Sequence, residues 1–203
     1  MTLKQAVNNL RQEYFELKAP MHKELRHLEA TVRAYLKELE YSLEKHERID
    51  VESRVKDCES AIDSLRRKQP GRDFEDGKQY TLNQLKDLVG LRILTFPTSV
   101  MKSVNVILSD TFKDWSTDHD MHGGMQIYKY YNEIGDLKIP CEIQIVSMLT
   151  GKFWDVEHAA LYKPNPAYKG AIEGSFTMDR LYKDVMNKLA EFEKAFEETL
   201  QGN

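Results

Sequence analysis

In residues 138–147, KIPCEIQIVS, apolar side chains recur at every second position from 139 to 145. Ile139, Cys141, Ile143 and Ile145 fall on one parity, and Glu142 and Gln144 on the other. Side chains alternate between the two faces of a strand, so this run reads as a strand with one apolar, core-facing side. A second run, MQIYKYYN (125–132), precedes it, with Glu133-Ile-Gly-Asp136 between. Turn residues between two such runs predict an antiparallel hairpin. The chain must therefore build a sheet here, and its helical segments must cover it.

The flanking segments fit that demand. In residues 2–48, Leu25, Leu28, Val32, Leu36, Leu39 and Leu43 recur at helical spacing, a core-facing stripe. Pro20 predicts a break between a first and a second helix. IDVESRVKD (49–57) reads as extended, 58–69 as helix stopped by Pro70-Gly71, and 70–80 as a polar loop. Thr81-Leu-Asn-Gln84 is a capping-box pattern that predicts a short helix. LVGLRILTF (88–96) is a strand ended by Pro97, and 98–111 a helix. KDWSTDHDMHGG (113–124) is polar and turn-rich, and His119-Asp120 reads as part of a turn. Helix 148–162 and a loop opened by Pro164 and Pro166 follow. The last helix, 177–200, carries Leu181, Val185, Leu189, Phe192, Phe196 and Leu200 on one face. The expected class is α+β: a mixed central sheet flanked by helices. Its parts are N-terminal helices (1–48), a core (49–165) and a C-terminal helix (166–203) in one compact domain.

Composition narrows the setting. With 203 residues, 41% of them hydrophobic, the chain can bury a real core. A net charge of −4 argues neither for nor against nucleic acid. Two distant cysteines, Cys58 and Cys141, form no disulfide framework and no metal-ligand spacing, which points to a reducing, cytoplasmic setting. The N-terminus lacks the apolar stretch of a signal peptide, and no run approaches the roughly 18 apolar residues of a membrane span.

Glu142 and Gln144, taken alone, read as a solvated strand face. Three other features bear on that reading. Arg54 and Lys56, two apart in an extended segment, share a direction and can grip one polyphosphate, the first as a fork and the second as a point charge. Each pair of this kind also occurs as plain surface. Asp87 heads a buried strand, where a carboxylate can hold Mg²⁺, and Gly90 permits a close approach of backbone or ligand. The order is the third feature: basic pair, then Asp87 with Arg92, then Glu142-x-Gln144.

SRVK, ESAIDSLRRK, DLVGLRI and EIQI…FWDVEHAALYK, in that order, resemble the synthetase domain of the RelA/SpoT family, and specifically its single-domain small alarmone synthetases. The resemblance spans about residues 45–165. It implies a nucleotidyltransferase-related fold and transfer of the β,γ-pyrophosphate of ATP to a ribose 3′-hydroxyl, with release of AMP. Carried over by position, it implies ATP contacts for Arg54 and Lys56 and adenine packing by Arg92 with Arg54. Asp87 becomes the Mg²⁺ ligand, and Glu142 the carboxylate that assists the metal or accepts the hydroxyl proton, with Gln144 beside it. His158, Tyr162 and Lys163 match a signature expected to be structural.

Two departures concern the acceptor. The family's Tyr-Arg-Ser-Leu-His run is absent from Gly123-Gly-Met-Gln-Ile-Tyr-Lys-Tyr-Tyr131, and Val146 stands where the family has Arg. Tyr128, with Tyr130 as the alternative, is the expected stacking residue; both also read as plain strand aromatics, and Lys129 is expected to point away from the site. Fewer acceptor-side cations disfavour a free guanosine polyphosphate and favour an RNA 3′ end, which needs stacking and a basic track. Lys23, Arg26 and Arg33, or Arg66, Arg67 and Lys68, are the candidate tracks, though each also reads as a solvated helix face. The first expectation is thus a toxin-like synthetase acting on tRNA and held by an antitoxin protein. The second is a GTP or GDP pyrophosphokinase making (p)ppGpp, and the third a degenerate nucleotide-binding module. The apolar stripe of 181–200 leaves open a homo-oligomer.

Overall fold

A computed structural model describes residues 2–122, 125–157 and 176–202. Helix α1 (Leu3–Ser42) leads into β1 (Arg48–Val55) and α2 (Cys58–Arg67). After two single 3₁₀ turns come β2 (Val89–Phe96), α3 (Thr98–Thr111), β3 (Ser116–His122) and β4 (Met125–Ile134). Strand β5 (Ile139–Ser147), α4 (Met148–Glu157) and α5 (Phe176–Gln201) complete the described chain. The five strands form one sheet in the order β1-β2-β5-β4-β3, antiparallel except for the parallel β2–β5 pair. The fold is α+β with a mixed sheet, as the alternating runs require.

One face of the sheet carries the main core. Val51, Val89, Leu91, Ile93, Cys141, Ile143 and Ile145 pack there with the apolar stripes of α1, α2 and α3. Leu94, Ile127 and Val146 form a small second cluster with Met148 and Trp154. Gly151 lets α4 lie close, because a Cβ there would stand 2.3 Å from Leu94 Cδ2.

Four expectations change. Helix α1 runs unbroken through Pro20. The proline forfeits one backbone hydrogen bond, but buried Leu10 and Tyr14 before it and Met21, Leu25, Leu28, Val32 and Leu36 after it share one stripe on the core. Residues 116–122 are an edge strand, so His119 and Asp120 are not in a turn. The strand escaped notice because both its faces are exposed, which leaves no alternation to read. Thr81 caps a single 3₁₀ turn, Leu82–Gln84, and that turn is also held by Glu13 of α1, which accepts from the Leu82 amide at 3.1 Å. Finally, α5 docks through Met186 and Glu193, while Leu181, Val185, Phe192 and Leu200 of the apolar stripe stay exposed.

Candidate active site

The register sets two rows across the face opposite the main core. Arg54 pairs with Gly90, Gly90 with Glu142, and Glu142 with Tyr131. In the next row, Glu52 pairs with Arg92, Arg92 with Gln144, and Gln144 with Lys129. Residues paired across strands point to the same side. The alternation of three short runs thus brings Arg54, Arg92, Glu142 and Gln144 together, although they are spread over about 90 residues of sequence.

Gly90 occupies the centre of the first row. A Cβ there would stand 3.1 Å from the Glu142 carbonyl oxygen and 3.9 Å from Arg54 Nε. A side chain at this position would therefore crowd the Glu142 backbone and the space beside the Arg54 guanidinium.

Lys56 and Asp87 close one end of the site. Lys56 Nζ donates to Asp87 Oδ2 at 2.5 Å and to Ser64 Oγ at 3.3 Å. Arg54 lies 3.9 Å from the same carboxylate oxygen, its side chain half exposed. Lys56 is held from behind as well: its amide donates to Leu88 O, and its carbonyl accepts from Tyr14 of α1 at 3.0 Å. Arg92 is held by Asp155 of α4 at 2.7 Å and lies 5.9 Å over the Trp154 ring. Lys152 of α4 bridges to Glu52.

Glu142 is only 7% exposed, and among the described residues no Lys or Arg pairs with it, an unusual setting for a carboxylate. Gln144 Nε2 donates to its Oε2 at 2.8 Å. Tyr131 stands opposite it on β4; burial, and then that carboxylate, raise the phenol's pKa. Among the described residues no cluster of three metal-ligating side chains occurs. The pair Asp87 and Glu142 nevertheless fits Mg²⁺, which takes one or two carboxylates and fills its remaining positions with phosphate oxygens and water.

The expected stacking rings do not reach this face. Tyr128 pairs with Ile145 and Tyr130 with Ile143, so both turn into the main core. Tyr130 is 2% exposed and donates to Asn105 Oδ1 at 2.6 Å, and burial pushes its pKa up to about 12. Tyr128 is 8% exposed and meets His119 edge-on. Their parity matches the isoleucines of β5, not Glu142. Tyr131 is the ring on the site face, and Lys129 lies there too, paired to Asp120 at 3.0 Å. The signal was available: counting back from the turn pair Ile134–Ile139 puts Tyr131 opposite Glu142. The proposed basic tracks are largely neutralised within the chain. Lys23 lies 3.5 Å from Glu24, Arg33 pairs with Glu29, Arg66 with Asp73 and Arg67 with Asp63. His158, Tyr162 and Lys163 lie outside the described residues.

Residues 53–167 match the region found in RelA and SpoT proteins. The chain belongs to the RelA/SpoT family. Its enzyme class is pyrophosphokinase. No curated protein matches it in sequence. The fold is similar to the crystal structure of small alarmone synthetase 1 from Bacillus subtilis, with a TM-score of 0.67 at 19% identity over 95% of this chain and all of that one. It is also similar to the same synthetase bound to AMPCPP, with a TM-score of 0.64 at 19% identity and the same coverage. No helix among the described residues is long and apolar enough to cross a membrane.

Proposed function

We propose that this chain transfers the β,γ-pyrophosphate of ATP to a ribose 3′-hydroxyl and releases AMP. The observation that carries this is the row Arg54–Gly90–Glu142, with Lys56 and Asp87 at its end. Arg54 and Lys56 take the phosphates, and Arg92 with Arg54 packs on the adenine. Asp87 and Glu142 would hold Mg²⁺, which when bound would neutralise phosphate charge. The acceptor oxygen attacks the β-phosphorus, and the bond from that phosphorus to the oxygen bridging the α-phosphate breaks. Glu142 accepts the hydroxyl proton, and the electron pair leaves on AMP. Such a transfer needs charge neutralisation and alignment more than covalent help.

The acceptor in this reading is the 3′ end of tRNA. Asp118 and Asp120 line the strand beside Lys129, so the concentrated charge of a free nucleotide's 5′-polyphosphate would meet more repulsion on the acceptor side than the single charge per phosphodiester of an RNA end. Modifying tRNA ends would halt translation, and a neutralising partner protein would then be needed in the cell. A second reading, a GTP or GDP pyrophosphokinase making (p)ppGpp, is favoured by the likeness to small alarmone synthetase 1. The test uses ATP labelled at the γ-phosphate, with Mg²⁺ and either deacylated tRNA, GDP or GTP. Label on tRNA alone supports the first reading. Label on guanosine nucleotides alone supports the second, and label on none overturns both.

A further inference from the structure

Helix α4 packs on the site face of the sheet, with Trp154 against Leu94, Ile127 and Val146. It sends two charged side chains to the second row: Lys152 pairs with Glu52 of β1, and Asp155 with Arg92 of β2. We infer that Asp155 is a positioning residue for ATP. It draws the Arg92 guanidinium up from the sheet to α4, where it forms one wall of the adenine cleft, and the Lys152–Glu52 pair keeps a competing acid from taking that guanidinium. The inference rests on the reading of Arg92 as an adenine contact.

Arg92 has two acids within its reach. Glu52 is its cross-strand partner in the β1–β2 register, so both side chains leave the same face of the sheet. Opposite charges placed directly across two strands ordinarily attract each other. The ion pairs that form run instead from strand to helix. Arg92 Nη1 donates to Asp155 Oδ1 at 2.7 Å, and Lys152 donates to Glu52. Lys152 and Asp155 are three residues apart in α4, so one face of the helix carries both. Each base of this group thus meets the acid from the other element.

The raised guanidinium is also braced. Its side chain is only 17% exposed, and its central carbon lies 5.9 Å from the Trp154 ring centroid, a cation–π contact. That ring is fixed in turn by the second apolar cluster. Gly151 seats α4 against Leu94, two residues along β2 from Arg92, so the helix and the strand that share the ion pair are in close contact. A partly exposed ion pair adds little to stability; what this one supplies is direction. Held at α4, the planar cation is set for a base before ATP arrives, which lowers the ordering cost at binding. Turned to Glu52, it would lie along the sheet and leave the cleft.

The test is Asp155→Asn, which keeps the size of the side chain and removes the charge that holds Arg92. AMPCPP with Mg²⁺ is the probe, because a methylene in place of the α–β bridging oxygen prevents turnover. Its Kd should rise about 3–10-fold, the scale of ordering one long side chain at binding. With ATP, KM should rise by a similar factor, while kcat and acceptor KM stay within about twofold of wild type. Two further variants separate positioning from packing. In an Arg92→Ala background, Asp155→Asn should add no further loss of affinity, since residues that act through one another are not additive. Adding Glu52→Gln to Asp155→Asn should lower the Kd again by about twofold or more, because no acid then draws Arg92 off. An unchanged Kd in Asp155→Asn would overturn the inference, and so would an additive cycle or a Kd that Glu52→Gln does not move. Failure of the functional reading looks different: a wild type that binds AMPCPP yet moves no pyrophosphate to any acceptor loses that reading and leaves the Kd comparison to decide this one. A wild type that does not bind AMPCPP removes both.

Discussion

Lys56 Nζ lies 2.5 Å from Asp87 Oδ2, so the cation proposed for ATP and the carboxylate proposed for Mg²⁺ neutralise each other in the free protein. Binding Mg²⁺ and ATP together would give each a new partner of the same charge type. The ion pair thus keeps both side chains extended and in place before substrate arrives, which lowers the ordering cost at binding.

Lys56→Met should therefore lower transfer about 100-fold or more, because a charge-assisted contact to the transferring group is lost in a confined site. KM for ATP should rise, and KM for the acceptor should hardly move. Steady-state kinetics with each substrate varied in turn checks this.

Gly90→Ala should lower both stability and activity. The added methyl would press within 3.1 Å of the Glu142 carbonyl oxygen and intrude beside Arg54. Overpacking at a tight contact costs about 1–3 kcal/mol, whereas ATP affinity and kcat should fall at least tenfold. Urea unfolding and ATP titration, run in parallel, separate the two effects.

Tyr130→Phe tests the placement of that ring in the core. It removes a buried hydrogen bond to Asn105 and leaves that acceptor unpaired, a loss of about 1–3 kcal/mol. Activity at a temperature well below unfolding should stay within twofold of wild type. An active-site role for Tyr130 would show as a larger loss there.

Glu193 ties α5 to the body, accepting from Ser147 Oγ at 2.5 Å and Thr98 Oγ1 at 3.0 Å. Burial raises its pKa above the ordinary 4.5, against the lowering effect of those two hydroxyls. The folded state then holds the proton more tightly than the unfolded chain. Its contribution to stability is fully present below about pH 4.5 and is lost as pH rises through the folded value. The stability of wild type relative to Glu193→Gln should accordingly be more favourable at pH 4.5 than at pH 7.5, as measured by denaturant unfolding at about those two values.

The sheet and most of the site were legible because period-two alternation encodes both. Arg54, Lys56, Arg92, Glu142 and Gln144 lie in runs whose apolar partners must face the core, so their own direction follows. Tyr128 and Tyr130 were misjudged for the same physical reason: their parity pairs them with Ile145 and Ile143, and only the hairpin register reveals it. Residue type suggested a stacking role that the register denies. Strand β3 was hidden because an edge strand exposed on both faces carries no burial pattern. In α5 the helical spacing of Leu181, Val185, Phe192 and Leu200 was read correctly as a stripe, yet the side that docks carries Met186 and the buried Glu193. A carboxylate satisfied by two hydroxyls cannot be anticipated from periodicity.

The central claim is transfer of a diphosphate, and its most direct measurement is the fate of the β-phosphate. The protein is incubated with Mg²⁺, an acceptor and ATP labelled at the β-position, and the products are separated. The account predicts label on the acceptor and unlabelled AMP in equal amount, with both lost in Glu142→Gln. Labelled ADP, with only the γ-phosphate moved, would mean an ordinary kinase and would contradict it.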